Sequence, residues 1–372
     1  MKVRFFDYSL VPNTLVSEWR LAFEEVLSES KFVQGKQTRE FEVEWASLIG
    51  SQHAVGVGNG FDGLTTALRA LDLKPGDEVA VPAHTFIACW FAIQNVGGIP
   101  VGVDVDSNGL IDLDILESLK SKPKYVMPVH MHGAMVDMSR LMKWANSNGV
   151  KVIEDASQAH LASRNGKKSG TWGDVGVFSL YPTKNLGALG DAGVIVTDKE
   201  EVERKIRALT NYGSALDNKY RHIEFGANSR LDTLQAAFLL KALPNLKEWN
   251  ENRNHLAMQY QTGLAGINDL VPLHHSLENQ VWHHYVVKTH QRDSLRKYLL
   301  EFGVETEIHY PNTAATEYQT IFGGNQNFTV ATELANSILS LPLSQWHTKE
   351  HIAHVVEGVV SFFNQPDIFA NE

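Results

Sequence analysis

Between residues 50 and 200 short β-rich runs alternate with segments of helical spacing, and this alternation narrows the fold more than any other feature of the chain. The runs AVGVG (54–58), EVAVP (78–82), IPVGVDV (99–105), KYVMPV (124–129) and VKVIED (150–155) have the length and β-branched content of strands. Between them, 62–70, 87–96 and 138–148 carry apolar residues at helical spacing. Near-continuous apolar strands separated by helices predict a mostly parallel sheet covered on both faces. Two further runs, VGVFSL (175–180) and GVIVT (193–197), follow without an intervening helix, so the sheet should be mixed. From Glu200 the pattern reads as helical through 231–243 and on to about residue 258. After Gly266 the segments 282–290, 293–302 and 307–311 and a last helix from about Thr348 predict a smaller α+β unit. The expected fold class is therefore α/β. A large domain over 1–255 has a mixed, mostly parallel sheet flanked by helices, and a smaller C-terminal α+β domain covers 256–372. Residues 1–30 are free to pack on the smaller one.

Composition excludes several function classes. The net charge of −10 leaves no basic excess for a nucleic acid or an anionic membrane. No stretch of about 18 apolar residues exists to span a bilayer. The N-terminal MKVRFFDYSLVPN meets Asp7 and Pro12 before any long apolar run, unlike a secretory leader, so the cytoplasm is the expected setting. The single cysteine, Cys89, excludes an intramolecular disulfide and a thiolate metal cluster, and reads as a small apolar residue in a helix. His130 and His132 have the i, i+2 spacing that puts two strand residues on one face, yet no third ligand accompanies them and no metal is expected. His283 and His284 would point to opposite faces of a strand.

Three segments carry the chemistry. In SLYPTKNLGALGDAG (179–193), Lys184 sits in a short linker between a buried strand and a Gly-rich turn. Alone, such a lysine is usually a surface charge; desolvated, it is an amine able to form a Schiff base. In VIEDASQAH (152–160) a buried strand ends in Glu154 and Asp155, where an acid either caps a helix or faces a ligand beyond the strand ends. In VGVGNGFDG (55–63) a strand meets a Gly-rich turn and a helix start, which is an anion site but neither a P-loop nor GxGxxG. A lysine, a strand-end carboxylate and a phosphate cradle together suit pyridoxal 5′-phosphate (PLP). Ser179 offers the phosphate a further donor.

The order GNG-x-D, EDASQAH, S-x-YPTKNLGALGDAG and GANSRLDTLQAA resembles the DegT/DnrJ/EryC1/StrS sugar aminotransferases, which share the PLP-dependent fold type I. The likeness runs from KFVQGKQTREFEVEWA (31–46) through IHYP (308–311) to ILSLPLSQ (338–345). It implies that Lys184 is the Schiff-base lysine, that Asp155 pairs with the pyridine nitrogen, and that Gln158 reaches the ring hydroxyl. It implies that Phe86 stacks on the ring, and that Gly60, Phe61 and Ser179 hold the phosphate. Asn228 would reach that phosphate from a neighbouring subunit, which implies a homodimer. Many members carry Thr or Ser where this chain has Phe61, so only the amide contact would remain there. Leu180 and Ala134 replace a frequent Phe and a frequent Gln.

Related dehydratases carry His in place of the lysine, so Lys184 implies transamination, with pyridoxamine 5′-phosphate as the intermediate cofactor form. The implied amino donor is L-glutamate and the acceptor a nucleotide-linked ketosugar. The segment 211–232 is similar to the subgroup that aminates C3 of dTDP-linked 3-keto-6-deoxyhexoses; members acting at C4 more often show Tyr or Phe in place of Ser229. Tyr181, His309 and Tyr310 are candidates for the sugar pocket, and Tyr220 and Arg221 for the nucleotide diphosphate. Deoxyaminosugars of cell-surface polysaccharides are the implied product class. Amination at C4 of a 4-keto sugar is the alternative, and a non-catalytic regulator on the same fold is the alternative from another class.

Overall fold

The computed structural model describes residues 1–273 and 280–364. Its centre is a seven-stranded sheet: β1 (His53–Val57), β2 (Glu78–Pro82), β3 (Ile99–Val103), β4 (Tyr125–Val126), β5 (Lys151–Asp155), β6 (Val175–Ser179) and β7 (Gly193–Thr197). The spatial order is β1-β7-β6-β5-β4-β2-β3. β7 runs antiparallel to both neighbours and the remaining pairs are parallel. The direct β6-to-β7 connection, with no helix, produces the one reversed strand and so the mixed sheet.

The strand interiors are mostly apolar because both faces are covered. One face packs under the helices Gly60–Ala70, Ala88–Asn95 and Glu200–Leu209, around Leu64, Leu68, Trp90 and Ile206. Part of the opposite face packs against Phe41, Trp45 and Ile49 of Lys36–Ile49 and Leu239 of Thr233–Ala242. The chain after residue 263 adds a three-stranded antiparallel sheet in the order Val271–Pro272, Tyr285–Lys288, Ile338–Leu341. Leu295, Leu299, Ile352 and Val355 cover it.

The helix Leu246–Gly263 joins the two cores, with Leu246 in one and Leu256, Ala257 and Tyr260 in the other. We propose that the C-terminal domain begins inside this helix. The N-terminal segment divides its contacts. Val3 pairs with Val304 in the C-terminal core, whereas Leu15, Trp19 and Val26 pack on Ala237 and Phe238.

One expected stretch of helix is interrupted. After Glu200–Leu209 the chain forms a hairpin, Ser214–Ala215 with Asn218–His222, before helix resumes at Thr233. The turn formers of NYGSALDN override the helical reading: Gly213 has φ of +71° and sits so close to the Glu224 carbonyl that no side chain fits. The two-histidine pattern also changes. His132 is left-handed (φ 58°) in a short 3₁₀ turn, so His130 and His132 do not share a strand face.

Glu154 is fully buried at the penultimate position of β5. Its carboxylate accepts from the amides of Gly170, Trp172 and Gly173 and lies 3.0 Å from His130 Nε2. Glu154→Ala leaves these groups without their acceptor. The expected loss is about 3 kcal/mol or more in urea denaturation, since each stranded buried donor costs about 1–3 kcal/mol. An unchanged midpoint would show that the 170–173 loop is held by something else.

Candidate active site

The carboxyl ends of β2, β5 and β6 open on one cavity of about 440 Å³, where open α/β sheets place ligands. Gly60, Phe61, Phe86, Asp155, Gln158, Ser179, Tyr181, Lys184, His309 and Tyr310 all line it. Asn228, Tyr220 and Arg221 lie elsewhere. Asn228 is exposed and its backbone pairs with Asn211. Tyr220 and Arg221 stand on the exposed hairpin, where Arg221 bonds Asp217.

The lysine sits in a braced turn. β6 ends at Ser179, and the chain doubles back so that the Ala188 amide donates to the Leu180 carbonyl. Buried His160 ties both arms. The Leu186 amide donates to its Nδ1, which places the ring proton on Nε2 for the Ser179 carbonyl at 2.9 Å. Burial holds this histidine at about 3, so it stays neutral. Tyr8 donates to the Pro182 carbonyl, and Asn185 is gripped by Asn250 and His283. Desolvation brings the Lys184 amine down to about 8, against the opposing pull of Asp155.

Asp155 ends β5. Its Oδ1 accepts from the Ser157 amide and its Oδ2 from the Cys89 thiol, each at 3.0 Å. Gln158 accepts from the His132 amide and donates to the Tyr310 hydroxyl at 3.2 Å. The Phe86 and Tyr310 rings lie 5.5 Å apart on the wall.

An anion cradle closes one end. Asn59 caps the helix Gly60–Ala70 by accepting from Asp62, and the first-turn amides of Gly60 and Phe61 have no intrahelical acceptor. A Cβ on Gly60 would stand 3.0 Å from Ser179 Cβ and 3.6 Å from Ser157 Oγ, so glycine leaves the space open. Ser229, buried, accepts from the Gly58 amide and supports this turn rather than lining the cavity. An anion cradle, a carboxylate with lone pairs to spare and a desolvated amine fit PLP.

Several parts of the site carry little signal in the linear sequence. Ser157 lies inside the DASQ run, and its signal was a second hydroxyl two residues after Asp155. Cys89 read as apolar filler and instead donates to Asp155. His283 and His284 precede their strand rather than lying in it. Both line the cavity with ring centroids 4.0 Å apart, and His284 stacks on His309 at 3.9 Å.

These histidines are neutral for one reason. Burial lowers His84 and His309 to about 4 and takes His283 and His284 well below the ordinary value. A depressed pKa contributes stability above the unfolded value near 6.5, and that stability is lost as pH falls toward 3–4. His84 and His160, both almost wholly buried, should each cost about 1.4 kcal/mol per pH unit below 6.5. Urea midpoints of the cofactor-free protein should therefore fall between pH 7 and pH 5, above the carboxylate range. A flat profile would refute neutral burial of this group.

The DegT/DnrJ/EryC1/StrS aminotransferase family profile matches residues 13–360. The dTDP-3-amino-3,4,6-trideoxy-alpha-D-glucose transaminase of Streptomyces venezuelae is 36% identical, over 98% of this chain and 97% of the relative. The dTDP-3-amino-3,6-dideoxy-alpha-D-galactopyranose transaminase of Aneurinibacillus thermoaerophilus is 37% identical, over 96% and 98%. Among solved structures, S. venezuelae DesV with a ketimine intermediate superposes with a TM-score of 0.94 at 36% identity, over 98% of this chain and all of that one. The Bacillus subtilis NtdA structure with bound cofactor PMP gives 0.90 at 32%, over 98% and 86%. A cavity built for PLP and a match along nearly the whole chain agree, and the chain belongs to the DegT/DnrJ/EryC1/StrS family of PLP-dependent aminotransferases.

Proposed function

We propose that this enzyme moves an amino group from L-glutamate to the C3 ketone of a dTDP-linked 3-keto-6-deoxyhexose, giving a dTDP-3-amino-3,6-dideoxyhexose. The observation that carries the position is that both full-length relatives above are named for 3-amino dTDP sugars. A lone buried cysteine suits a reducing compartment, the cytoplasm.

Bound PLP supplies an aldehyde carbon that takes up the amino group and a ring that accepts negative charge from the carbon losing its proton. The chain does the rest. The amides of Gly60 and Phe61 with the hydroxyls of Ser157 and Ser179 bind the phosphate. Asp155 holds the proton on the ring nitrogen. Gln158 Nε2 donates to the ring hydroxyl, and Phe86 covers the ring and excludes water. Lys184 is the residue that would hold the cofactor carbon. Its Nζ would also take the proton from the donor carbon and deliver one to sugar C3. Desolvation lowers the pKa of this amine toward neutrality, which suits a group that acts as base and then as acid. Tyr181, His309 and Tyr310 offer the hexose neutral polar groups and apolar faces.

The working unit in this reading is a homodimer. Tyr212, Leu216, Tyr220, Ile223 and Phe225 are each more than half exposed on the 212–225 segment. A second copy would cover them and bring Asn228 to its partner's cradle, with Tyr220 and Arg221 near the nucleotide diphosphate.

The test is the visible spectrum of the PLP-loaded protein. L-Glutamate should bleach the yellow band, a 3-keto dTDP-6-deoxyhexose should restore it, and the 4-keto isomer should not. Restoration by the 4-keto sugar alone would overturn the C3 assignment. Lys184→Ala should abolish turnover, and retained steady-state transamination would remove Lys184 from its role. Mixing Lys184→Ala with Asn228→Ala should give more activity than the two separate variants together, because one hybrid site regains both residues. Simple additivity would sink the shared site.

A further inference from the structure

We propose that Cys89 is a positioning residue for Asp155: its thiol fixes the carboxylate plane and so sets how firmly the cofactor's ring nitrogen is held. The proposal rests on the reading of Asp155 as the partner of that nitrogen.

The carboxylate is restrained at two points from two parts of the fold. Oδ1 accepts from the Ser157 amide, two residues along its own chain. That contact alone leaves the other oxygen free to swing. Oδ2 accepts from Cys89 Sγ at 3.0 Å, across 66 positions of sequence. With one donor on each oxygen the plane is set, and a carboxylate still has lone pairs left for a donor in the cavity.

Cys89 is itself well held. It lies in the first turn of the helix Ala88–Asn95 and is wholly buried. The next residue, Trp90, pins that turn by donating its indole N–H to the Pro82 carbonyl at the end of β2. The Thr85 hydroxyl lies 3.8 Å from Sγ, within reach of donating to the sulfur while the sulfur donates to Asp155. A thiol has a single hydrogen, so the direction Thr85 to Cys89 to Asp155 uses each group once. Burial, and then the charge of Asp155, push the thiol well above its ordinary value, so it remains a donor across the working pH range. Cys89 is not among the residues lining the cavity. Its polar atom is spent on Asp155 and not on a ligand, which separates positioning from catalysis.

The experiment compares Cys89→Ala and Cys89→Val, which cannot donate, with Cys89→Ser, which can. Two quantities are read: the affinity of the cofactor-free protein for PLP, and the pH at which a ¹⁵N-labelled ring nitrogen loses its proton in the bound state. Both variants without a donor should bind PLP roughly 3- to 10-fold more weakly, the equivalent of one hydrogen bond. Their ring nitrogen should titrate about half a unit lower or more. The serine variant should stay within about twofold of the unmodified protein in affinity and keep its titration. If Val matches the unmodified protein while Ser is damaged, the thiol is apolar packing and the proposal fails. It also fails if all three variants titrate like the unmodified protein. Asp155→Asn separates the two readings. If it too leaves the ring-nitrogen titration unchanged, the Asp155 assignment is wrong and the Cys89 proposal falls with it. If it shifts the titration while Ala and Val do not, only the Cys89 proposal falls.

Discussion

The last two residues of β5 hold the structure and the site together. Neighbouring residues on a strand point to opposite faces, so Glu154 and Asp155 are two carboxylates with two tasks. Glu154 turns into the protein and gathers three amides of the 170–173 loop together with His130. That loop leads directly into β6, whose far end carries Ser179 and the turn bearing Lys184. Asp155 turns into the cavity with both oxygens restrained. A buried carboxylate that satisfies several donors is costly to disturb. The acid that anchors the fold therefore also fixes the acid that faces the cavity.

Charge in the cavity is managed by exclusion. His160, His283, His284 and His309 all approach Lys184 closely enough that a positive imidazole would repel its ammonium. Burial keeps them neutral, which leaves them as hydrogen-bonding groups rather than charges. The same dryness lowers Lys184 to about 8, where an amine can both take and give a proton. Arg253, also buried, is bonded to the carbonyls of Trp282, His283 and Leu343 and to Gln345, and so ties the histidine-bearing segment to the helix Leu246–Gly263. Its cation is spent on positioning rather than aimed at the ligand.

Much of this was legible in the linear chain. Strand content, helical spacing and the missing helix between β6 and β7 predicted a mixed, mostly parallel sheet, and the spatial order of strands followed only from tertiary pairing. The cavity gathers Lys184, Asp155, Gln158, Ser179 and Gly60 because each lies at a strand end, in the turn just beyond one, or at a helix start, which local sequence marks. The hairpin at 214–222 was missed because turn chemistry at Gly213 outweighed a helical pattern continuing on either side. Strand periodicity does not apply to His130 and His132 or to His283 and His284, because each pair lies where the chain is outside a strand. Cys89 was misread because a buried thiol and a buried methyl look alike until a partner is placed beside them.

Sequence by itself pointed to the chemistry: a lysine in a rigid linker, an acid at a strand end and a glycine turn before a helix are local patterns, each legible from a few neighbouring residues. Tertiary structure alone decided the electrostatics. How dry Lys184 is, which histidines stay neutral and which atom restrains Asp155 all depend on residues brought together across scores to more than a hundred positions of sequence. No local pattern encodes those distances, because burial and hydrogen-bond partnership belong to the packed whole.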